Sequence, residues 1–512
     1  MNQKATLLPD ARTRPLSVKR KPLKLAADPR RVITRLFIPG DHKRIRNTVN
    51  RVLSLPDDEA ERLLVEVLSD YSRRHKNIRD ALMENYREAI GHLHEEPSAS
   101  AERKLLIGAF FTMEFAVESV ALFNPSIVPD PNQNGATDGQ LRVILSLRAT
   151  GEGHVSSIEF RRALINEKNE FVFGPMSRYV ETPEIQWDNR YEKQLFSLKL
   201  WEMSVPYDPS PVNVEELAAG GEAISRVMEQ LGEYFTYEQL QDAVAVARET
   251  FDEKGMTDNG LFDRMIWLAR SNYAVNFSDT SDICERVIFP VSESESRGIE
   301  DARFVRYVED DGSDIYYATY SAYNGTGVLT QLLETRDFRH FKVNSLNGPY
   351  SASKGMALFP KKINDRYAMI GRVDGENLHL MYSDNIHFWY VAQKLRTPEE
   401  SWEFTQIGNC GSPIETEKGW LLLTHGVGPM RRYAIGAVLL DLEDPSRIVG
   451  RLRDPILVPE EDEREGYVPN VVYSCGSLVH NGELIIPYAV SDVGTRIATV
   501  PMEELLARAQ QS

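Results

Sequence analysis

Arg297-Gly298-Ile299-Glu300-Asp301-Ala302-Arg303, followed directly by Phe304-Val305-Arg306-Tyr307-Val308, sets two carboxylates and two arginines where a polar loop, Ser292-Glu293-Ser294-Glu295-Ser296, runs into a strand. On a β scaffold such an edge places side chains at the mouth of the fold, where a carboxylate flanked by arginine is held in one orientation for proton transfer. Taken alone, the pair reads as a solvated ion-pair cluster. The flanking sequence decides between the two.

Downstream, from Asn272 to Val500, strand-like runs are each bounded by Gly, Asn, Asp or Pro: Ile315–Tyr320, Tyr367–Ile370, Leu378–Tyr382, Trp420–Thr424, Ala434–Leu440 and Leu484–Tyr488. They recur in units of roughly fifty residues, the pattern of a β-propeller whose inner strands carry functional groups to a central funnel. Upstream, alternation in Gln140–Arg148 and Ser157–Arg161 around Gly151-Glu152-Gly153 predicts a further strand pair. Helical periodicity takes over on either side of that pair. Asp58 and Glu61 have capping-box spacing ahead of Leu63, Leu64, Val67 and Leu68, and a second helix is expected from about Ala101 to Leu122. Between about 184 and 271, boxes at Asn213/Glu216 and Thr236/Gln239 predict a helical insertion. The expected division is 1–118, a basic arm and helical region; 119–183, the first part of the propeller; 184–271, an insertion packing on the N-terminal helices; and 272–512, the remainder of the propeller. Assembly into a homo-oligomer through the helical region is a further expectation.

The 512 residues, 42% hydrophobic and 26% charged, describe globular material with room for two or three domains. No window approaches the ~20 apolar residues of a membrane span, and no apolar segment with a small-residue cleavage site opens the chain. With only Cys284, Cys410 and Cys475, a disulfide framework or zinc cluster has no support, and a cytoplasmic location is expected. A net charge of −17 argues against nucleic acid and requires any anionic ligand to be met by a local basic pocket. The Lys- and Arg-rich first 40 residues read as an extended arm packed on an acidic body or on a neighbouring subunit.

Gly298-Ile-Glu-Asp-Ala-Arg303, Lys354-Gly-Met-Ala-Leu-Phe-Pro360, Gly419-Trp-Leu-Leu-Leu-Thr-His425-Gly, Asp441-Leu-Glu-Asp-Pro445, Pro455-Ile-Leu and Val468-Pro-Asn-Val-Val-Tyr-Ser-Cys-Gly476 together resemble the ordered motifs of glycoside hydrolase family 130, the mannoside phosphorylases and related β-mannosidases. The resemblance implies a mainly β fold, a five-bladed β-propeller with an N-terminal helical extension and a helical insertion, and an inverting phosphorolysis of a terminal β-mannosidic bond that gives α-mannose 1-phosphate. Asp301 matches the family's proton donor, although Ala302 stands where the family usually has proline. Lys354, Arg372, His425, Arg432 and Tyr433 match a phosphate site. Asn124, Ser126, Arg148, Glu300, Arg303, Tyr323, Asn324 and Asp492 match sugar contacts, with Glu152 and His154 as further candidates and Ser-Leu-Arg-Ala departing from the usual Tyr-Arg-Ala. The expected partners are a mannose-containing oligosaccharide and inorganic phosphate as co-substrate, with no metal or organic cofactor and no membrane. An inverting β-mannosidase and a non-catalytic glycan-binding propeller are the alternatives.

Overall fold

In a computed structural model, residues 16–93, 95–187, 190–204, 214–253, 260–351 and 354–510 are described. Five antiparallel sheets of four to six strands dominate them, with two small two-stranded pairs beside. Counted across each sheet, the first, inner strand is Ala121–Pro129, Gly298–Val308, Ala357–Leu358, Gln406–Asn409 and Val472–Tyr473 in turn. The next two strands of each sheet form a hairpin, as Leu141–Thr150 with Ser156–Ile165 and Gly419–Val427 with Tyr433–Leu440.

The apolar runs bury both faces of each sheet, because alternate side chains on a strand point to opposite faces. Trp420 and Leu422 join Ile370 and Leu380 of the third sheet. Their neighbours Leu421 and Leu423 join Leu484 and Ile486 of the fifth. Phe304 likewise packs with Phe160 of the first sheet, and Val305 with Met369 and Met381 of the third. The fifth sheet returns to the first through Ile485 and Ile497 against Val143, Leu145 and Leu147. The five cores therefore form a closed cycle.

The outer strand of the fifth sheet is N-terminal. Lys19–Ala26 pairs antiparallel with Gly494–Pro501, with a register break between Arg20 and Lys24. Pro22 lies at that break, where a missing N–H is tolerated. The stretch expected to be a basic arm is thus partly a strand; its cations do meet an acidic surface, Arg20 reaching Glu460 at 2.7 Å and Lys19 reaching Glu483 at 3.4 Å. Beyond it, Arg31 is 2% exposed and pairs with Glu118 and Glu159, each at 2.6 Å, which ties the entering chain to the first sheet. Burial and the neighbouring Glu159 push the Glu118 carboxyl up against the pull of Arg161 and Arg31, and the two arginines facing the two carboxylates make a buried quartet of matched charge.

The helices depart from expectation in three ways. The helix from Ala101 ends at Phe110, and Thr112–Ala116 and Ala121–Pro129 are strands, because Phe111, Phe115 and Val120 have a spacing that suits either element. The helix Asp57–Tyr71 starts behind Pro56 with no side-chain cap, so Asp58 and Glu61 form no box, and a further helix, His42–Leu53, precedes it on the cap Asp41. At Thr236 the box is formed, through Gln239 Oε1 at 2.9 Å and Thr236 Oγ1 at 3.3 Å; Asn213 lies outside the described residues. Among the described residues, the insertion and the N-terminal helices lie in separate apolar cores. Its helices share one core around Leu200, Val227, Leu240 and Leu268, and the N-terminal helices share another around Ile45, Leu64, Leu82 and Leu106. Each group satisfies its own apolar stripes. The insertion leaves from Glu184–Gln186 and returns at Tyr273–Asn276, which pair at the outer edge of the second sheet. No described helix is long and apolar enough to cross a membrane.

Gly298 controls how the inner strand of the second sheet meets the first. Its φ is +126°, and a Cβ there would lie 2.5 Å from Ser156 Oγ and 2.7 Å from Ser156 N. Gly298→Ala is expected to cost roughly 2–4 kcal/mol, the sum of backbone strain and a clash with fixed backbone. Gly312, at φ +81° with nothing within 4 Å, isolates the backbone part, for which Gly312→Ala should cost about 1 kcal/mol. Equal losses in the urea midpoints of the two variants would show that the Ser156 contact is unimportant.

Candidate functional site

The strand Gly298–Val308 carries a bulge between Glu300 and Arg303, and inside it Asp301 takes a left-handed backbone, φ 56°. A matching bulge lies between Phe123 and Ser126 on the inner strand of the first sheet, with Asn124 at φ 47°. The two strained residues face each other, Asn124 Nδ2 donating to Asp301 Oδ1 at 2.6 Å. Bulges re-aim side chains out of the pleat, here toward one cleft. The loop before Asp301 is pinned by Glu295, fully buried and accepting from Tyr273 Oη at 2.9 Å, Tyr320 Oη at 2.6 Å and Val291 N at 3.0 Å.

The cleft, of about 350 Å³, is walled almost entirely by polar groups from all five sheets. Arg148 donates to Asp301 Oδ1 at 3.4 Å and to Glu300 Oε1 at 3.0 Å, and Lys354 Nζ reaches Glu300 Oε2 at 2.8 Å. Arg303, 2% exposed, donates to the Asp301 carbonyl at 2.9 Å and to Asn409 Oδ1 at 3.2 Å. Burial raises the Asp301 carboxyl, but Arg148, Arg303, the Asn124 amide and Lys354 outweigh it and hold it below the usual carboxylate range. Asp492 is the opposite case. Burial, then Asp301, push it up to about 6 against the pull of Arg148 and Arg431.

His425 carries no charge at neutral pH. Burial, with Arg372 and Arg303, lowers it to about 3. Its Nδ1–H donates to the Asn409 carbonyl at 3.0 Å, so Nε2 is the acceptor facing Arg372 NH1 at 3.5 Å. Matched from sequence to a phosphate site, it is an uncharged group beside Arg372. The ring lies against Gly408, where a Cβ would come 2.3 Å from Cε1, and stacks on Tyr433 at 5.9 Å.

Of the sequence-derived residues, Asn124, Arg148, Glu300, Asp301, Arg303, Lys354, Arg372, His425, Tyr433 and Asp492 line the cleft. Ser126 does not; its Oγ accepts from Phe304 N at 3.1 Å and ties the two bulged strands together. Arg432 points away, toward the Pro459 carbonyl at 3.4 Å, while Arg431 lines the cleft instead, because Met430 and Arg431 both have positive φ at the hairpin tip. Tyr323 lies beneath Lys354, 5.4 Å from Nζ to its ring, and Asn324 closes its own turn by accepting from Gly327 N at 2.8 Å. Glu152 is exposed. Gln406, Asn409, Arg431 and Tyr473 were missed. Tyr473 lies inside a quoted motif, and the glycines Gly408 and Gly411 around Asn409 were the available signal.

Asn124 Oδ1 and Arg148 Nε are buried without a hydrogen-bond partner among the described residues. Buried polar atoms are normally satisfied, so an acceptor and a donor left open at a cleft call for a ligand with both. A held carboxylate, open amide and guanidinium groups and converging cations are the equipment of a carbohydrate-active enzyme that handles an anion. The family model described as β-1,4-mannooligosaccharide phosphorylase matches residues 261–511. A 1,2-β-oligomannan phosphorylase from Thermoanaerobacter sp. (strain X514) is 33% identical over 281 residues, which cover 50% of this chain and 90% of that protein. β-1,2-Mannobiose phosphorylases from Listeria innocua and from the same Thermoanaerobacter strain are 31% and 34% identical, over 43% and 41% of this chain and 62% and 69% of theirs. The chain belongs to glycoside hydrolase family 130.

The raised Asp492 predicts a pH-dependent cost. A carboxyl whose folded value is about 6 stabilises the fold fully below its unfolded value near 4 and loses that contribution as pH rises through about 6. Asp492→Asn cannot ionise, so it should gain on the wild type between pH 4.5 and 7.5 by about 2 kcal/mol. Thermal unfolding of both proteins at the two pH values checks this, and a gap that does not change with pH would remove the assignment.

Proposed function

We propose that the protein cleaves a terminal β-mannosidic bond with inorganic phosphate, inverting the anomeric centre to release α-mannose 1-phosphate. The observation that carries the reading is one cleft holding Asp301 together with Lys354, Arg372 and Arg431 in a chain of net charge −17, since a dianionic nucleophile needs such a local concentration of cations. The relatives at 31–34% identity are named as phosphorylases of β-1,2-linked mannosides, and β-1,2 is the linkage proposed here. The family description names β-1,4, but a label for a whole family says less about linkage than these relatives do.

The proposed scaffold is a five-bladed β-propeller, supported by the cycle of five shared cores and by the N-terminal strand that completes the last sheet. Asp301 is the general acid. Asn124 and Arg148 both bind its Oδ1, which leaves Oδ2 to pass a proton to the leaving oxygen by way of a mannosyl hydroxyl. As that proton arrives, the glycosidic C–O bond breaks with its electron pair on the leaving oxygen, and a phosphate oxygen attacks the anomeric carbon from the opposite face. In the free protein the cations hold Asp301 ionised; a phosphate dianion beside Lys354 and Arg372 offsets them and lets the carboxyl take its proton. Phosphate binding thus prepares both nucleophile and acid. Asn124, Arg148 and Asp492 grip the mannosyl unit. With phosphate as nucleophile and Asp301 as acid, the proposed reaction needs no metal or organic cofactor. The three buried, unpaired cysteines suit a cytoplasmic setting.

Asp301→Asn should lower turnover by about 10²-fold or more while mannobiose still binds, because a positioned acid contributes that much. Arg372→Glu should weaken the dependence on phosphate far more than charge reversal at the exposed Arg30, since it removes forked donors and adds a like charge beside the anion. Initial rates against phosphate concentration on β-1,2-mannobiose decide the matter: a wild-type rate independent of phosphate would mark a mannosidase, and near-normal Asp301→Asn would reassign the acid.

A further inference from the structure

The turn joining the second and third strands serves the cleft mouth in three of the five sheets. In the third, fourth and fifth sheets it delivers Arg372, Arg431 with Tyr433, and Asp492 to the cleft. In the first sheet the equivalent turn is Gly151–Val155, and its tip, with Gly153 at φ 63° and His154 at φ 59°, presents an exposed imidazole at that rim. His154 does not enter the cleft. It stacks on Tyr467, the ring centroids 5.3 Å apart and the planes 25° from parallel.

Tyr467 is fixed at the rim by its neighbours. Val468 lines the cleft and donates from its N–H to the Ser491 carbonyl at 3.1 Å, one residue from Asp492. Gly466 lies so close to the same carbonyl that a Cβ would come within 2.4 Å. Tyr467 is nevertheless 60% exposed. One face of the ring is backed by His154, and the ring, largely exposed, stands next in sequence to Val468 of the cleft wall.

We propose that Tyr467, backed by His154, is the platform for the leaving-side sugar: the pyranose ring on the far side of the bond to be cleaved lays its C–H face on the tyrosine ring. This rests on the phosphorolytic reading and assigns the part of the substrate that the reading leaves unplaced. The mannosyl unit and phosphate are taken up inside the cleft by the groups around Asp301, so an aromatic face outside it meets the portion that departs. A pyranose has what the platform selects for, an apolar face of axial C–H bonds with hydroxyls around its edge, and an aromatic ring offers its negative face to those C–H groups. Val468 and Val471 continue the apolar surface into the cleft wall. An open-chain polyol has no such face and should be a poor acceptor.

The test runs the reaction in the synthetic direction, with α-mannose 1-phosphate as donor and mannose, methyl mannoside or mannitol as acceptor. Tyr467→Ala is expected to raise KM for the pyranose acceptors roughly five- to tenfold, with kcat and the KM for mannose 1-phosphate little changed and the preference over mannitol largely lost. Tyr467→Phe, which keeps the ring, should behave as wild type, and His154→Ala should show a smaller rise of the same kind. If the wild type is phosphate-dependent but both alanine variants keep the wild-type acceptor KM, the platform is wrong and the phosphorolytic reading stands. If the wild type hydrolyses without phosphate, that reading falls, and calorimetric titration of wild type and Tyr467→Ala with β-1,2-mannobiose then decides the platform: weaker binding by the variant supports it, and equal affinity overturns it.

Discussion

The hydrogen bond between Asn124 and Asp301, at 2.6 Å, joins two residues that each hold an unfavourable left-handed backbone. Such conformations cost about 1–3 kcal/mol apiece and persist only where the surroundings over-determine them. The surroundings are specific here. Ser156 Oγ donates to the Ile299 carbonyl at 2.9 Å, Arg303 to the Asp301 carbonyl, and Phe304 N to Ser126 Oγ. Each of these contacts is a clamp across or within the first two sheets, on one side of the bulge or the other. The position of the Asp301 carboxyl therefore follows from how two sheets meet, and Gly298 is a point of close approach between them.

Charge in the cleft is balanced in the same interdependent way. Glu300 bridges Arg148 and Lys354, and Asp301 and Asp492 share the field of Arg148. Because these groups are coupled through low-dielectric space, no single residue sets the protonation of another. His425 adds no further charge beside Arg372, because it is buried as a neutral ring whose Nε2 accepts from the guanidinium.

The strands were legible because Gly, Asn, Asp and Pro punctuate them and because runs such as Trp420-Leu-Leu-Leu-Thr424 lie between two neighbours and need no polar face. The helical stretch after Ala101 was misread for a related reason. Phe110, Phe111, Phe115 and Val120 satisfy both periodicities, and the long-range pairing of Thr112–Ala116 with Val32–Leu36 settled the competition. Lys19–Ala26 looked like an arm because its charge outweighed its alternation, yet Leu23 and Leu25 point into the core between the fifth and first sheets. In the site, residues in motifs were recoverable. Arg431 against Arg432 was not, since the choice depends on two positive-φ residues at a hairpin tip, which no local preference announces. Asn409 acts through four partners distant in sequence, Arg303, Gly355, Ile370 and His425, and so had no sequence signature of its own.

All five sheets contribute to the cleft, from Asn124 and Arg148 on the first to Tyr473 and Asp492 on the fifth, so its geometry is a property of the closed cycle rather than of any sheet. The strand Lys19–Ala26 belongs to that argument. By completing the fifth sheet it joins the start of the chain to its end and covers an edge that would otherwise be open to pairing. The helical insertion has the opposite relation to the site. It is attached at Glu184–Gln186 and Tyr273–Asn276, the two strands of the second sheet farthest from the inner strand that carries Asp301. A helical unit with its own core, joined at that outer edge, can grow or vary without altering the register of the bulged strand, which is why so large an interruption leaves Asp301 undisturbed.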